Sequence, residues 1–413
     1  MHCTIVTVGS RGDVEPYLAL ASGLVGHGHQ VRVATHEEFR DLAEGSGAGF
    51  AAIAGNPSQL IRSDLGAAWQ ASRRSPIATM RGLVALAEPL LDSYLDDTRR
   101  AMEGTDVAIF GVLGVAAYHV AEALKIPAVG AWLQPLTPTA AFPHILLPVE
   151  NAGPLNRVSH LAFDRLAWRF VAGSAARWRK ALDLEPLPFD GPFRRIEQQQ
   201  MALLYGFSSH VVPRPHDWPA RVHVPGYWFT DPPPDWRPPG DLLAFLESGP
   251  APVYFGFGSR VGADPGRASD VVQAISARLG LRAVVNRGWG GLAEVTPSDQ
   301  VFVTDGVRHD WLFPRMRAVV HHGGAGTTAA GLRAGVPSVV VPTFADQFFW
   351  ARRVQNLGVG ASIDHFEAPS LAAALRSVLD GESTRLRART LGRRIRSEDG
   401  VGRAAGIIER TAV

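Results

Sequence analysis

Short apolar segments recur along the first half of the chain, and segments with helical spacing of apolar positions separate them. The apolar segments are residues 4–8, 31–34, 107–110 and 128–131, and the helix-like segments include residues 16–26 and 116–124. Because the apolar segments lack polar alternation, they are typical of strands covered on both faces by helices. The pattern predicts a parallel α/β domain.

The same alternation begins again in the second half of the chain. Its strand-like segments are residues 253–257, 283–285, 301–303, 318–320 and 338–341. A second parallel α/β domain is therefore expected. Ligands of such sheets bind at the carboxyl ends of the strands, so we expect the active site in a cleft between the two domains.

Proline is dense between the two halves, where it cannot pair in the interior of a sheet. We therefore expect residues 213–252 to form an interdomain linker. The predicted organisation is an N-terminal domain of residues 1–212, the linker, a C-terminal domain of residues 253–390, and a helical segment of residues 391–413 that packs back toward the N-terminal domain.

The composition is that of an ordinary globular protein and adds little to the prediction of fold or function. The 413 residues are 46% apolar and 19% charged, and the net charge is +2. This balance gives no argument for nucleic-acid binding. The arginine-rich residues 385–396 are interpreted as a solvated helix face rather than a membrane contact. The single cysteine, Cys3, excludes an intramolecular disulfide and a cysteine-rich metal site.

Neither a secretion signal nor a membrane span is predicted. The first nine residues lack the basic region and long apolar core of a signal peptide. The sequence also contains no uninterrupted run of about 18 apolar residues, the length that crosses a bilayer. We expect a cytoplasmic monomer or homodimer with at most weak peripheral membrane contact.

A glycine-rich turn, HHGGAGTT at residues 321–328, follows the apolar segment 318–320. Glycines allow close approach to an anion, and the first amides of a following helix point free N–H groups at it. The spacing fits neither a P-loop nor the dinucleotide-binding fingerprint. The turn therefore predicts a diphosphate site. His321 is interpreted as a strand-end histidine bonded to the backbone.

A second glycine-bearing turn, GSRGDVEP at residues 9–16, follows the first apolar segment. Asp13 in this turn has two interpretations. It could cap a helix that begins near Val14, which is a common position for aspartate. It could also be a general base whose pKa is raised by partial desolvation in a cleft. Its position alone leaves both open.

Six motifs together resemble glycosyltransferase family 1, and within it the sterol 3β-glucosyltransferases and related antibiotic glycosyltransferases. They are GSRGDVEP at 9–16, THEEF at 35–39, GFGS at 256–259, HDWLF at 309–313, HHGGAGTT at 321–328 and DQFF at 346–349. The resemblance implies a GT-B fold of two facing Rossmann-like domains. It also implies inverting transfer of glucose from UDP-glucose to a hydroxyl of a bulky apolar acceptor, first of all a sterol 3β-hydroxyl or a triterpenoid, with no metal or other cofactor.

The resemblance also assigns roles to individual residues. Asp13 would be the general base, and His322 would bind the diphosphate together with Ala325, Gly326 and Thr327. Asp346 and Gln347 would bind the sugar hydroxyls. The remaining donor contacts would come from Ser10, Arg11, Ser259, Val307 and His309. Members with a plant-type ribose-binding glutamate carry it where this chain has Ala330, which favours the sterol-like branch and leaves uridine or thymidine donors open.

Other functions remain as alternatives. An antibiotic-tailoring enzyme would glycosylate a macrolide, polyketide or glycopeptide, with a dTDP-sugar as a further donor. More remote alternatives are a nucleotide-sugar 2-epimerase and a non-catalytic protein that binds lipid or nucleotide sugar. Residues 135–200, an insertion that carries Phe142, Trp168 and Trp178, are expected to contribute core aromatics or the rim of an acceptor site.

Overall fold

The computed structural model describes residues 1–63, 66, 76–189, 191–233, 235–257, 265–288, 292 and 295–412. The chain forms two compact units. The first contains Met1–Asp231 together with Asp399–Val413, and the second contains Pro232–Glu398.

The first unit is built on a seven-stranded sheet in the order β3-β2-β1-β4-β5-β6-β7, in which every neighbouring pair is parallel. The strands are β1 His2–Val6, β2 Gln30–His36, β3 Gly49–Ile53, β4 Val107–Phe110, β5 Ala128–Trp132, β6 Leu203–Tyr205 and β7 Val222–His223. The helices are α1 Arg11–Gly26, α2 Arg40–Gly45, α3 Pro57–Arg62, α4 Pro76–Ala87, α5 Leu91–Ala101, α6 Ala116–Leu124, α7 Asn156–Ala181 and α8 Phe193–Gln198.

The second unit is built on a six-stranded parallel sheet in the order β10-β9-β8-β11-β12-β13. Its strands are β8 Val253–Gly256, β9 Ala283–Asn286, β10 Val301–Thr304, β11 Ala318–His321, β12 Ser338–Val340 and β13 Gly360–Ser362. Its helices are α9 Gly240–Glu247, α10 Pro265–Leu279, α11 His309–Leu312, α12 Ala325–Ala334, α13 Gln347–Asn356, α14 Ala368–Asp380 and α15 Glu382–Arg396. A last helix, α16 Gly400–Thr411, belongs to the first unit.

Both faces of the first sheet are covered, as the unbroken apolar segments predict. On one face Ile5, Val33 and Ile109 join a core with α1 and α16. On the other face Val6, Ala34 and Phe110 join a core with α5 and α6. Alternate residues of each strand therefore serve different cores. The prediction of two parallel α/β domains is confirmed.

The structure does not show residues 213–252 as a separate linker. Residues 213–231 belong to the first unit, because β7 pairs with β6 at the sheet edge and the Trp218 ring lies 4.9 Å from the Tyr205 ring. Residues 232–252 belong to the second unit, where Leu242 of α9 is fully buried with Tyr254. Prolines flank β7 rather than interrupting a central strand, which is where proline is tolerated.

The C-terminal boundary also differs from the predicted one. Helix α15 lies in the second unit, so the segment that returns to the first unit begins at Asp399 rather than at residue 391. The Asp399 carboxylate caps α16 by accepting a hydrogen bond of 2.9 Å from the Gly402 amide. Helix α16 packs closely on α1, since a Cβ at Gly23 would lie 2.1 Å from a Val401 methyl carbon. In the described ranges, no helix is long and apolar enough to cross a bilayer.

Candidate active site

Asp13 lies in the first turn of α1, directly beyond the carboxyl end of β1. The backbone amide and the hydroxyl of Ser10 both donate to Asp13 Oδ2, at 2.9 and 2.8 Å. Ser10 therefore occupies the N-cap position, and Asp13 reaches back to it from the third helical position. The predicted helix start near Val14 is wrong, because the helix begins at Arg11, but Asp13 does help to cap this helix from the third helical position.

The environment of Asp13 favours its neutral form. Burial raises the pKa of this carboxyl above its usual range, and the two hydrogen bonds from Ser10 oppose the shift. Within the described residues, the second carboxylate oxygen, Oδ1, has no hydrogen-bond partner. One oxygen is thus fixed by the protein, and the other is available to a ligand proton.

Gly9 holds the backbone against this carboxylate. Its φ of +128° is a conformation that residues with side chains rarely adopt. A Cβ at this position would lie 2.8 Å from Asp13 Oδ2. The Gly9 amide donates to His36 Nε2 at 3.2 Å, at the carboxyl end of β2. His36 had no predicted role, and the structure shows that it fixes the turn that carries Asp13.

A Gly9→Ala substitution is expected to displace Asp13. Strain from the positive φ should cost about 1–3 kcal/mol of unfolding free energy, and the Cβ should push the carboxylate out of position. We expect a loss of transfer activity with donor binding retained, measured by steady-state kinetics and calorimetry. Gly28→Ala is a matched control, because Gly28 also has a positive φ of +85° but open space around its Cβ. Equal loss of activity in both variants would mean that general destabilisation, not displacement of Asp13, is responsible.

Exposed apolar side chains also lie at the carboxyl end of the first sheet. Val112, Leu113 and Val115 follow β4 and are each 40% exposed. This turn packs on the end of β1, since a Cβ at Gly114 would lie 2.4 Å from the Val6 carbonyl oxygen. Strands β1 and β4 are neighbours, and the strand order changes direction between them. Ligands of such sheets usually bind at the carboxyl ends of the strands at this point. The carboxyl end of the first sheet thus places a carboxyl group beside an apolar surface.

In the second unit, the glycine-rich turn connects β11 to α12. Gly323 has a φ of +88°, and a Cβ at Gly324 would lie 2.6 Å from His322 Nε2. The two glycines therefore allow the His322 ring to fold over the turn. Helix α12 begins at Ala325, so the amides of Ala325, Gly326 and Thr327 are its first N–H groups. These are the groups that an α-helix leaves without intrahelical partners.

His321 has a structural role, as predicted. It is fully buried, and its Nδ1 accepts a hydrogen bond of 3.0 Å from the Gly323 amide. Burial, with smaller contributions from His322 and His309, lowers the pKa of His321 to about 3. The neutral ring therefore fixes the turn rather than contributing charge.

His309, at the start of α11, lies within a network that the sequence did not predict. The Tyr254 hydroxyl lies 3.2 Å from His309 Nε2, and Asn286 Nδ2 donates to the same hydroxyl at 3.2 Å. Because the hydroxyl accepts from Asn286, its own proton can be donated to His309 Nε2. The His309 ring also stacks on Phe313 with centroids 4.3 Å apart. The hydrogen bond and the stacking fix the orientation of the His309 ring.

Tyr254→Phe is expected to loosen this arrangement without opening a cavity. Burial raises the pKa of Tyr254 to about 12, so the hydroxyl is protonated at neutral pH and its loss removes a neutral hydrogen bond. If His309 frames the nucleotide, the affinity for UDP should fall about 3–10-fold, the equivalent of about 0.5–1.5 kcal/mol. Calorimetric titration with UDP measures this. Unchanged affinity in a folded variant would exclude a role for the network in nucleotide binding.

Asp346 and Gln347 stand at the start of α13, after the strained residue Ala345, whose φ is +48°. Asp346 Oδ2 accepts a hydrogen bond of 3.0 Å from Trp350 Nε1 and makes no capping bond. Gln347 Oε1 accepts from the Thr343 amide and hydroxyl and from the Phe344 amide, at 2.8, 3.0 and 3.1 Å. The Gln347 oxygen is thus committed to its own loop, so only the amide nitrogen remains to donate to a ligand.

The other predicted donor contacts have mixed placements. Arg11 forms an exposed ion pair of 2.7 Å with Glu15 on α1. Val307 is partly buried against the core that contains Tyr254, and so is Ala330, the position of the ribose-binding glutamate in plant-type members. Ser259 lies outside the described residues. In the described part of the chain, no three His, Cys, Asp or Glu side chains are placed to share a metal ion.

Comparison with known proteins agrees with this geometry. Residues 3–92 match the family described as glycosyltransferase family 28 N-terminal domain, and residues 291–400 match the erythromycin biosynthesis protein CIII-like C-terminal domain. The first match lies within the first unit, and the second match lies almost entirely within the second unit. The matched ranges contain Asp13 in the first unit and His309, His322 and Asp346 in the second.

Curated relatives include sterol 3-beta-glucosyltransferases from fungi. The protein of Cryptococcus neoformans var. neoformans is 37% identical over 99% of this chain, and that of Aspergillus terreus is 36% identical over 99%. The chain spans only 27% and 30% of the lengths of these two relatives. The predicted resemblance to sterol 3β-glucosyltransferases is confirmed.

Solved structures with the same fold include glycosyltransferases. The glycosyltransferase of kitacinnamycin has a TM-score of 0.72 at 23% identity and aligns over 100% of this chain and 99% of its own. The glycosyltransferase VinC, solved in complex with dTDP, has a TM-score of 0.69 at 20% identity over 100% and 99%. These similarities confirm the predicted GT-B fold.

Proposed function

We propose that the chain is an inverting O-glycosyltransferase that transfers glucose from UDP-glucose to the 3β-hydroxyl of a sterol or a similar triterpenoid. The observation that carries this proposal is the Asp13 carboxyl, fixed by Ser10 beside the exposed apolar turn that contains Val112 and Leu113. The family resemblance and the fungal relatives support the same acceptor class.

Asp13 would act as the general base. Its free Oδ1 would accept the proton of the acceptor hydroxyl. At the same time the oxygen of the acceptor would attack the anomeric carbon from the face opposite the diphosphate, and the diphosphate would leave. A pKa raised by burial makes the carboxylate a stronger base than an exposed aspartate, and general-base help is typically worth about 10²–10⁴ in rate. Attack opposite the leaving group inverts the anomeric configuration.

The turn at residues 321–328 would hold the diphosphate leaving group. His322 and the first amides of α12 would donate to its oxygens, and preorganised donors stabilise the charge that develops there. Asp346 and the amide nitrogen of Gln347 would contact the sugar hydroxyls, while His309 and Val307 would frame the nucleotide. Ser10, Arg11 and Ser259 remain proposed donor contacts. This donor set supplies positive character without a metal ion.

An antibiotic-tailoring function is the second candidate. Two solved glycosyltransferases with this fold are named after kitacinnamycin and calicheamicin, and two others are complexes with thymidine diphosphate. In that case a macrolide, polyketide or glycopeptide would take the place of the sterol, and a dTDP-sugar would replace UDP-glucose. The residues proposed to act on the diphosphate and the acceptor hydroxyl would be the same.

A product screen tests the proposal. The purified chain is incubated with UDP-glucose or dTDP-glucose and a panel of sterols, triterpenoids, macrolides and flavonoids, and products are identified by mass spectrometry. Hexose added to a sterol from UDP-glucose is the expected result. Hexose added only to a macrolide or another polyketide would contradict the sterol acceptor and support the antibiotic-tailoring function. Sugar-nucleotide conversion without an acceptor would contradict both and favour an epimerase.

A further inference from the structure

The outer face of α7 combines apolar and basic side chains on one stripe. Its members follow helical spacing on the side turned away from the core, namely Val158, Leu161, Arg165, Arg169, Ala172 and Ala176. From Val158 to Ala176 the stripe extends along 19 residues, about 27 Å at the usual helical rise. The opposite side of the helix is packed against the first unit through His160, Ala175 and Trp178. We call this set the α7 stripe.

Exposed aromatic and aliphatic side chains extend the stripe at both ends. Leu155, just before the helix, is 62% exposed, and it continues from Val158 of the stripe, which is 54% exposed. Phe189 is 95% exposed, and its carbonyl oxygen accepts a hydrogen bond of 3.0 Å from Trp168 Nε1 of α7. Phe189 is therefore held beside the helix, although its ring is left in solvent. Such a concentration of exposed apolar surface marks an interaction site.

A groove connects Phe189 to the stripe. It has a volume of about 360 Å³ and is lined by Trp168 and three alanines of α7, by the segment from Pro186 to Phe189, and by two arginines, the exposed Arg169 and the buried Arg179. Apolar walls with an arginine at the rim fit an amphipathic ligand better than a polar one. The groove and the stripe form one continuous surface.

The charge of α7 indicates what kind of partner the α7 stripe would bind. Helix α7 contains six basic residues and one acidic residue, Asp164, which is partly buried on the other face. Arg157 is paired with Asp217 at 3.4 Å, and Asp183 and Glu185 are exposed in the turn after the helix. Arg165 and Arg169 have no hydrogen-bond or ion-pair partner in the described part of the chain. Exposed arginines next to exposed apolar side chains match the anionic headgroups and acyl boundary of a membrane.

We propose that the α7 stripe and Phe189 form a docking surface for an anionic phospholipid bilayer. The arginines contact lipid phosphates, and Val158, Leu161 and Phe189 enter the acyl boundary. Binding through such a short surface is weak and reversible. Its purpose rests on the proposed function, because sterols are bilayer lipids and a docked enzyme can take them directly from the membrane. Binding to vesicles can be measured without that function.

Vesicle sedimentation tests the docking surface directly. The full chain is mixed with vesicles of phosphatidylcholine alone, or of phosphatidylcholine with phosphatidylserine, at low and high salt. We expect salt-sensitive binding to the phosphatidylserine vesicles. The Arg165→Glu, Arg169→Glu double variant should lose at least about 25-fold in affinity, since each basic residue near an anionic surface contributes roughly a fivefold factor. Phe189→Ser should lose roughly tenfold, as expected for one partly inserted aromatic ring.

A matched charge reversal elsewhere controls for net charge. Arg389 and Arg394 are exposed on α15, so Arg389→Glu with Arg394→Glu makes the same change in net charge on the second unit. Affinity for vesicles should be nearly unchanged in this control. Absence of binding by the wild-type chain, or an equal loss in both double variants, would overturn the proposal. So would a Phe189→Ser variant that binds like the wild type.

A second readout connects docking to catalysis. With sterol delivered by cyclodextrin, the α7 stripe variants should turn over like the wild type, whereas with sterol in phosphatidylserine vesicles they should be slower. Equal rates in vesicles would show that docking has no part in acceptor supply. If no sterol glucoside forms in either format, the proposed function fails while the sedimentation result still decides the docking surface.

Discussion

Asp13→Asn is expected to abolish most glycosyl transfer while leaving UDP binding intact. The side-chain oxygen of the asparagine can still accept a hydrogen bond from Ser10, so the turn should keep its shape. It cannot accept the proton of an acceptor hydroxyl. Loss of a general base typically lowers the rate about 10²–10⁴-fold, and we expect kcat to fall within that range. Steady-state kinetics with a sterol acceptor, and calorimetry with UDP, measure the two effects separately.

The same variant should be more stable than the wild type at neutral and alkaline pH. Burial raises the pKa of Asp13 in the folded chain, so the stability due to its protonated form is complete below the unfolded pKa. That stability is lost as the pH rises through the folded pKa, because the buried group must ionise. Asparagine does not ionise, so the difference in thermal midpoint between variant and wild type should grow with pH.

Transfer by Asp13→Asn at the wild-type rate would exclude Asp13 as the base.

His322→Ala should weaken both donor binding and transfer. The ring lies over the turn that presents the first amides of α12, so its removal takes one donor from the proposed diphosphate site. A hydrogen bond to a charged group is worth about 1.5–3 kcal/mol, which corresponds to about 10–150-fold in UDP affinity. Because charge on the diphosphate increases in the transition state, kcat should fall as well, by about 10²–10³.

His322→Asn is the control for this prediction. Asparagine keeps an N–H donor on a smaller side chain, so it should recover part of the lost UDP affinity. Circular dichroism should show that both variants fold, since His321, which bonds the turn backbone, is unchanged in both. Normal UDP affinity in His322→Ala would place the diphosphate elsewhere.

Most of the architecture follows from the apolar segments alone. The segments at residues 107–110 and 128–131 coincide with β4 and β5 because buried parallel strands must be apolar on both faces. The strands β7 and β13 could not be predicted in the same way. Strand β7 has two residues among prolines, and β13 consists of Gly360, Ala361 and Ser362, which carry no apolar signal. Both are edge strands, and their pairing depends on the neighbour that is already in place.

The candidate site was predicted less completely. The glycine-rich turns gave Asp13 and His322, because glycine and helix starts are local signals. The neighbours that fix these turns are distant in sequence. His36 reaches Gly9 across 27 residues, and Tyr254 reaches His309 across 55. Nothing in the strand segment around Tyr254 distinguishes a hydrogen-bonded tyrosine from a core aromatic residue. The sequence also could not show that the Gln347 oxygen is used by its own loop.

The anomeric configuration of the product tests the central claim most directly. The wild-type chain is incubated with UDP-α-glucose and a sterol, and the product is analysed by proton NMR for the position and linkage of the sugar. Attack from the face opposite the diphosphate, assisted by Asp13, predicts a sterol glucoside with a β-linkage at the 3-hydroxyl. An α-linked product would contradict the single-displacement mechanism, and the absence of any sterol glucoside would contradict the proposed acceptor.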